Sequence, residues 1–306
     1  MTDTLPARLP LALLTLGALA LPGCGPAPVM ATYERDDREE SFMQVDYNRY
    51  YRVYVPERRE LGPAAPLVLA LHGVSQTNEQ LRAASGLDEA ADAHGFIVVY
   101  LQAAMGAWDV FGSQREFGLD EVGYVREVID RVSRRNVIDK RRIIAVGLSN
   151  GGVMSQQLAC KLSDRIAGFV SVAASLSKPM AADCQPTRPV SAVYILGTAD
   201  SFFPAAGNAV LHSFDGTLQF WASRNGCEGS RTRMSLPDLS EDGTRVHVSA
   251  YRGCDDGSRT VLDSIVGGGH AWPGATLPAP EAFGPTSYDI SANEEIVRLL
   301  AGLPRD

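Results

Sequence analysis

A serine flanked by glycines is the strongest candidate for chemistry in this sequence. The motif Gly-Leu-Ser-Asn-Gly-Gly at 147–152 directly follows the apolar run 143–146. Glycines on both sides of a serine allow a sharp turn from a strand into a helix, which lifts the serine hydroxyl above the edge of a sheet. The motif therefore predicts that Ser149 is a nucleophile. A loop of small residues could contain the same motif, so the prediction requires a base and an acid elsewhere in the chain.

The base is predicted among the histidines that follow Ser149. A serine hydroxyl becomes nucleophilic when a base takes its proton, and a carboxylate must hold that base in the correct tautomer. His212 falls in a predicted helix and His247 in an alternating strand pattern. His270 instead follows three glycines after a predicted strand, in a loop that could hold an imidazole over the edge of a sheet. We therefore predict His270 as the base.

Asp200 is the predicted acid because it comes directly after an apolar run. It lies between Ser149 and His270, which gives the order serine, acid, histidine found in hydrolases that use this type of serine turn. Asp255 and Asp256 remain alternatives, although they lie in a polar turn. An aspartate after small residues also commonly closes a turn, which is the non-catalytic interpretation of Asp200.

Two backbone N–H groups are predicted to stabilise the negative charge on a carbonyl oxygen under attack. One belongs to Asn150, the residue after the nucleophile, and the other to Val74, in the loop after an early strand. Gly73 would permit the close approach of backbone that such a site needs. We expect the preceding residue, His72, to brace this loop rather than to take part in catalysis.

Apolar strands alternate with amphipathic helices along the chain. This alternation predicts an α/β fold, in which a mostly parallel central sheet carries helices on both faces. Strands are predicted at 50–55, 67–71, 96–100, 142–146, 169–173, 190–196, 246–251 and 260–265. Helices are predicted at 79–93, 119–135, 150–162, 208–223 and 290–300. The three candidate residues each follow a strand, so this fold would place them at one edge of the sheet.

Length, charge and motif content exclude several classes of function. The 306 residues can form one catalytic domain, and we expect a monomer. The formal net charge is −8 and no basic cluster alternates with aromatic residues, so nucleic acid is not an expected partner. Neither C-x-x-C nor H-E-x-x-H spacing occurs, so no metal site is predicted, and serine chemistry requires no cofactor.

The N-terminus has the pattern of an export signal. Arg8 precedes the apolar run 11–21, which is too short to span a bilayer but suits the hydrophobic region of a signal peptide. The sequence Pro-Gly-Cys follows and ends at Cys24. Small residues before a cysteine resemble the lipobox of bacterial lipoproteins, which predicts lipidation of Cys24. Ordinary cleavage near Ala27 is the alternative.

A charged run at 34–40 separates the export signal from the predicted folded body. A Pro- and Ala-rich stretch leads into this run, and together they are typical of a solvated linker. We predict a signal peptide at 1–23, a tether at 24–41 and a catalytic domain at 42–306. The protein is expected outside the cytoplasm, where it would be secreted, periplasmic or held at a membrane by lipid on Cys24.

The remaining cysteines form an even set in a chain that carries an export signal. They are Cys160, Cys184, Cys227 and Cys254. An even number in an exported chain favours disulfides over free thiols or metal ligands. Four cysteines allow three pairings, and their spacing does not select one.

Four motifs together resemble the secreted polyhydroxybutyrate depolymerase and feruloyl esterase family. They are Leu-His-Gly at 71–73, Gly-Leu-Ser-Asn-Gly-Gly at 147–152, Gly-Thr-Ala-Asp at 197–200 and Gly-Gly-Gly-His-Ala-Trp-Pro-Gly at 267–274. The similarity covers roughly residues 45–303, and as a set these motifs are far more specific than the serine motif alone.

The resemblance implies an α/β-hydrolase fold with a triad of Ser149, Asp200 and His270. It also implies that Trp272 lies near the substrate cleft. For the cysteines it implies the pairs Cys160–Cys184 and Cys227–Cys254. The two cysteine pairs and the position of Trp272 rest on the resemblance alone, so each is an expectation for the structure.

The residues and the resemblance together predict an exported serine ester hydrolase that acts through an acyl-enzyme. Its expected substrates are small esters or oligoesters, namely hydroxyalkanoate oligoesters or feruloyl and acetyl esters. Trp108, in a loop that contains glycine, is a second predicted substrate contact. Two alternatives remain: a serine peptidase, because the same triad cleaves amides, and a non-catalytic surface lipoprotein that keeps the fold.

Overall fold

The computed structural model describes residues 35–57, 64–112 and 114–304. Within these ranges the chain forms ten strands. The strands are β1 (Asp36–Gln44), β2 (Tyr47–Val55), β3 (Ala65–Leu71), β4 (Ile97–Leu101), β5 (Ile138–Leu148), β6 (Gly168–Val172), β7 (Ser191–Gly197), β8 (Thr232–Ser235), β9 (Arg245–Tyr251) and β10 (Thr260–Val266).

Seven α-helices occur in the same described ranges. They are α1 (Asn78–Ser85), α2 (Leu87–His94), α3 (Glu121–Arg135), α4 (Asn150–Lys161), α5 (Lys178–Asp183), α6 (Phe214–Arg224) and α7 (Ala292–Gly302). The longest of these, α3, has 15 residues. None of the helices in the described part of the chain has the length and hydropathy that a membrane span requires.

All ten strands join one sheet in the order β1-β2-β4-β3-β5-β6-β7-β10-β9-β8. The six inner strands from β4 to β10 are parallel, whereas the two strands at each edge pair antiparallel. The prediction of a mostly parallel sheet is therefore confirmed. Because the inner strands are parallel, the loops that follow β3, β5, β7 and β10 all leave at the same edge.

Both faces of the sheet are covered, which explains the continuous apolar runs of the inner strands. Every residue of β3 is buried. Leu67 and Leu69 pack in one apolar core and Val68 and Ala70 in the other, because successive side chains of a strand point to opposite faces. The sheet is thus a rigid platform whose loops are free to carry a site.

The predicted tether at 24–41 is wrong for its last residues, because Asp36–Gln44 forms the edge strand β1. Its charged side chains are paired rather than only solvated. Glu40 accepts hydrogen bonds from Arg38 at 2.6 Å and from Tyr51 at 2.6 Å, and Arg82 bonds Asp37 at 2.8 Å. Alternating charge with partners on the body suits an edge strand, where charge also discourages pairing with other chains. The predicted signal peptide and Cys24 lie outside the described residues.

Two predicted helices differ from the structure. The segment predicted as one helix at 79–93 is two helices, because Gly86 at φ 68° ends α1 and turns the chain into α2. The helix predicted at 208–223 begins only at Phe214, where the Ser213 side chain accepts a hydrogen bond from the Gly216 N–H and caps it. The short elements β1, α5 and β8 were not predicted at all, because their sequences lack a clear apolar period.

Both disulfides implied by the resemblance are confirmed. Cys160 at the end of α4 is bonded to Cys184, which follows α5. Cys227 after α6 is bonded to Cys254, in the turn before β10. The first bond joins the helix that follows Ser149 to a neighbouring segment, and the second joins the two segments that flank β8 and β9.

We expect the Cys160→Ser, Cys184→Ser double variant to lower the free energy of unfolding by about 3 kcal/mol. The bond closes a loop with a sequence separation of 24 residues, and a cross-link of that span removes unfolded-state entropy of this order. Urea unfolding at pH 7.5, followed by circular dichroism, measures the change. A midpoint equal to that of the parent under non-reducing conditions would show that the bond contributes nothing to stability.

Candidate active site

Ser149 occupies a sharp turn between β5 and α4. Its backbone has φ 57° and ψ −121°, a conformation that residues other than glycine rarely adopt. Such backbone strain costs about 1–3 kcal/mol and persists where the surrounding structure imposes it. Here the Ser149 N–H donates to the Val172 carbonyl at 2.9 Å, and the Ser149 carbonyl accepts from Val153 in α4. The predicted nucleophile is therefore held at the carboxyl edge of the sheet.

The glycines of the serine motif are required by close packing around this turn. A Cβ atom at Gly147 would lie 2.2 Å from the Gly151 carbonyl carbon. A Cβ atom at Gly151 would lie 2.1 Å from the Leu71 carbonyl oxygen at the end of β3. No side chain fits at such distances. The two glycines thus let β5, α4 and β3 converge beneath Ser149.

Asp200 and His270, predicted far apart in the sequence, form a direct pair. Asp200 Oδ2 lies 2.7 Å from His270 Nδ1, and the two side chains are 1% and 9% exposed. The other carboxylate oxygen, Oδ1, accepts the backbone N–H groups of Phe202 at 2.8 Å and Phe203 at 3.1 Å. With both oxygens engaged, the carboxylate orients the imidazole so that Nδ1 carries the proton and Nε2 is free to accept one.

The loops that carry this pair are bonded to each other. The Ala199 N–H donates to the Gly268 carbonyl at 2.8 Å, and the His270 N–H donates to the Phe283 carbonyl at 2.6 Å. Gly197 at the end of β7 permits this approach, because a Cβ there would lie 2.3 Å from the Gly268 carbonyl oxygen. Backbone bonds therefore fix the main chain of His270, and its bond to Asp200 then orients the ring.

Ser149 lies at the same edge as the acid–base pair. Ser149 follows β5, Asp200 follows β7 and His270 follows β10. In the sheet, β6 lies between β5 and β7, and β10 lies next to β7. In the described part of the chain the Ser149 hydroxyl has no hydrogen-bond partner. Hydrogen bonds of catalytic residues are commonly long in ligand-free structures and shorten when substrate binds.

The alternative bases and acids lie elsewhere. His247 is within β9 and its Nδ1 lies 2.9 Å from the Ser235 hydroxyl, while His212 precedes α6. Asp255 and Asp256 form a turn that precedes β10, whereas His270 follows that strand. The two aspartates are therefore at the opposite edge of the sheet from the base.

The predicted oxyanion donors, the backbone N–H groups of Asn150 and Val74, belong to the segments that follow β5 and β3 at this edge. Asn150 is the first residue of α4, where N–H groups have no partner within the helix and the helix dipole favours negative charge. Val74 lies in the loop after β3, and the next residue, Ser75, donates its N–H to the Gly106 carbonyl at 2.7 Å. Among the described residues neither the Asn150 nor the Val74 N–H has an acceptor, so both remain available.

His72 braces this loop, as expected. Its Nε2 accepts the Ala103 N–H at 3.1 Å, so the ring proton is on Nδ1, which donates to the Gly73 carbonyl at 2.7 Å. Burial lowers the pKa of His72 below its ordinary value of 6.5, because charging a desolvated imidazole is unfavourable. The ring is thus a neutral link between the loops after β3 and β4.

His72 is expected to make the protein less stable as the pH falls below about 6.5. The unfolded chain binds a proton there and the folded chain does not, so the free energy of unfolding drops by up to about 1.4 kcal/mol per pH unit until the folded pKa is reached. Urea unfolding between pH 7.5 and 5.5 measures this slope. His72→Gln should flatten it, and an equal slope in the parent and the variant would contradict the assignment.

Trp108 and Trp272, the predicted substrate contacts, are buried at 2% and 3% exposure. The Trp108 indole N–H donates to the His72 carbonyl at 2.9 Å, and its backbone N–H donates to the Asn150 side chain at 2.7 Å. Trp272 packs in the core with Ile290. The prediction of substrate contact is therefore corrected: both rings form the frame of the site, since apolar packing around the catalytic loops excludes them from the surface.

Two exposed aromatic residues beside the base were not predicted. The Phe202 ring centroid lies 4.9 Å from that of His270, and the Phe283 centroid lies 5.8 Å from it. Phe202 is 54% exposed and Phe283 is 38% exposed. The position of Phe202 two residues after Asp200 could have indicated its proximity, but no sequence signal connects Phe283 to the site.

Comparisons with known proteins identify esterases among the relatives of this chain. NocK of Nocardia uniformis subsp. tsuyamanensis, designated an esterase, is 30% identical over 83% of this chain and 79% of that protein. Feruloyl esterase B of Piromyces equi is 29% identical over 68% of this chain, and the match spans 40% of that enzyme's length. No protein-family model matches the chain.

Among solved structures, an acetyl xylan esterase from Aspergillus awamori superposes with a TM-score of 0.60. The superposition covers 87% of this chain and 99% of that one, at 14% identity, so it shows the shared fold alone. The resemblance drawn from the motifs is confirmed. The chain belongs to the esterase family of α/β-hydrolases related to feruloyl esterase B and poly(3-hydroxyalkanoate) depolymerase C, and it is a serine carboxylic ester hydrolase.

Proposed function

We propose that this protein hydrolyses carboxylic esters through an acyl-enzyme formed on Ser149, with His270 as the base and Asp200 as the acid. The observation that carries this proposal is the Asp200–His270 pair at 2.7 Å, at the edge of the sheet that also holds the strained Ser149 turn. The three residues, distant in sequence, follow strands that end at one edge of the sheet, in the chain order serine, acid, histidine found in hydrolases with this type of serine turn.

The proposed reaction starts when His270 Nε2 takes the proton from Ser149 Oγ as that oxygen attacks the ester carbonyl. The N–H groups of Val74 and Asn150 stabilise the resulting oxyanion. Asp200 stabilises the imidazolium, which then gives its proton to the oxygen of the departing alcohol. Water, activated by the same imidazole, then hydrolyses the acyl-enzyme, which releases the carboxylic acid product and restores the hydroxyl of Ser149.

For substrates we propose soluble hydroxyalkanoate oligoesters or feruloyl and acetyl esters. The named activities of the relatives, feruloyl esterase B and poly(3-hydroxyalkanoate) depolymerase C, support this range. Phe202, two residues after Asp200, is 54% exposed, and this open surface beside the site suits small or flexible esters. Amides, the substrates of serine peptidases, are expected to react far more slowly.

A substrate panel tests this function. Purified protein would be incubated with p-nitrophenyl acetate, methyl ferulate, acetylated xylose and a 3-hydroxybutyrate trimer, and each released acid would be quantified. We expect hydrolysis of p-nitrophenyl acetate and of one or more of the other esters. A fluorophosphonate should label the protein and block every activity together. Absence of both labelling and hydrolysis would contradict the esterase function, and cleavage of peptide p-nitroanilides alone would indicate a peptidase.

We propose further that the protein is exported and that Cys24 anchors it to a membrane. The two disulfides support a location outside the cytoplasm, because such bonds persist in oxidising compartments. Membrane fractionation of cells that produce the parent and Cys24→Ser proteins tests the anchor. The parent should sediment with membranes and the variant should be released, whereas identical fractionation of the two would contradict lipidation.

A further inference from the structure

Phe202 and Phe283 form an exposed apolar pair beside His270, and nothing in the catalytic chemistry requires them. Their ring centroids lie 5.8 Å apart, and each ring lies within 5.8 Å of the imidazole. Large apolar side chains are usually buried, so two exposed phenylalanines in contact at a site suggest that a ligand covers them. We name this surface the Phe202–Phe283 pair.

The pair is held in place by the loops of the site itself. Phe202 donates its N–H to Asp200, and the Phe283 carbonyl accepts the N–H of His270 at 2.6 Å. Phe203, on the same turn, stacks on the imidazole with an interplanar angle of 5°. The backbone bonds that orient the acid and base therefore also fix the backbone from which both exposed rings extend, which limits the positions that the rings can take before binding.

The chemistry of ester cleavage determines which part of a substrate meets these rings. The carbonyl oxygen must point to the N–H groups of Val74 and Asn150, while the alcohol oxygen must lie within about 3 Å of the imidazole nitrogen that protonates it. The alcohol portion of the ester consequently begins beside His270. Atoms attached to that oxygen fall within reach of the Phe202–Phe283 pair.

We propose that the Phe202–Phe283 pair is the binding site for the alcohol portion of the ester and selects apolar alkyl or aryl alcohols. This inference rests on the proposed function. Burial of apolar surface against the two rings lowers the free energy of binding. Hydroxyl groups that bind there lose hydrogen bonds to water and gain none from the rings. An alcohol with an alkyl or aryl group, including the alkyl-bearing unit of a hydroxyalkanoate oligoester, is therefore favoured over a sugar.

The inference predicts how the rate depends on the alcohol. Each methylene that the pair covers should raise kcat/KM by about two- to fourfold, up to the length that the rings can reach. For acetate esters the order should be methyl, then butyl, then hexyl or benzyl. An acetylated methyl xyloside should react more slowly than hexyl acetate. Lengthening the acyl chain of methyl esters should not reproduce this trend.

Alanine variants test the assignment to the two phenylalanines. Phe202→Ala and Phe283→Ala should each lower kcat/KM for hexyl and benzyl acetate by about tenfold, mainly through KM, and leave methyl acetate within twofold. Phe202→Leu should retain most of the parental activity on hexyl acetate, because it keeps apolar surface. The matched control is Phe111→Ala, which removes an exposed phenylalanine in the loop between β4 and α3 and should change none of these rates.

The outcomes separate this inference from the proposed function. If the parent protein hydrolyses no ester, the proposed function fails. If it hydrolyses methyl acetate but shows no gain with longer alcohols, or prefers the acetylated xyloside, the inference about apolar alcohols is wrong. A Phe202→Ala variant that loses equal activity on methyl and hexyl acetate would instead show that the ring positions His270, which also overturns the assignment.

Discussion

Replacement of Ser149 by alanine is expected to lower kcat for every ester by at least about 10⁴-fold, the largest effect predicted for any single side chain. The variant keeps the turn and the oxyanion donors but has no oxygen on which an acyl group can form. Alanine tolerates the backbone at φ 57° no worse than serine does, so the free energy of unfolding should stay close to that of the parent.

Hydrolysis of p-nitrophenyl acetate, followed by absorbance, measures this loss. Ser201→Ala is the matched control, because Ser201 is an exposed serine directly after Asp200. We expect the control to retain its rate within about twofold, because the Ser201 side chain is exposed and its hydroxyl makes no hydrogen bond among the described residues. A Ser149→Ala protein that is folded and retains more than a few per cent of parental activity would contradict the assignment of the nucleophile.

Asp200→Asn should lower kcat by about 10⁴-fold, for a reason specific to this site. The oxygen that remains in the amide is held by the N–H groups of Phe202 and Phe203, as Oδ1 is in the parent. The new NH₂ group then faces His270 Nδ1 and can only donate to it. The imidazole is forced to carry its proton on Nε2, where it cannot accept one from Ser149.

The same assay measures this effect, and the alternative acids supply the controls. Asp255→Asn and Asp256→Asn alter carboxylates in the turn before β10, at the other edge of the sheet. We expect both to keep parental kcat within about twofold. Loss of activity in either of them, with full activity in Asp200→Asn, would move the acid to that turn and contradict the geometry described here.

The sequence predicts the catalytic elements well because their chemistry constrains residue type and order together. Gly147 and Gly151 are needed where β5, α4 and β3 converge, and a motif with glycines on both sides of Ser149 signals that need directly. Asp200 and His270 each follow an apolar strand of a parallel sheet, so their convergence at one edge follows from topology.

The surroundings of the site could not be predicted from the same patterns. Trp108 lies between glycine-containing stretches that are typical of a loop. Its indole N–H nevertheless donates a hydrogen bond to the His72 carbonyl, and its side chain is buried. The sequence pattern does not show this, because tertiary packing determines the exposure of loop residues. Phe283 is brought to His270 by a backbone hydrogen bond within the long connection between β10 and α7, which no sequence pattern marks. The charged strand β1 resembles a linker in sequence, because its ion-pair partners, Arg52 and Arg82, which bond Asp37, lie elsewhere in the chain.

Trapping of the acyl-enzyme tests the central claim most directly. Parent protein turning over p-nitrophenyl butyrate would be quenched in acid, and intact mass spectrometry followed by peptide mapping would locate any added butyryl group. We expect one butyryl group, on the peptide that contains Ser149, and none on the Ser149→Ala protein. A butyryl group on another residue, or hydrolysis by the Ser149→Ala protein at the parental rate, would contradict it.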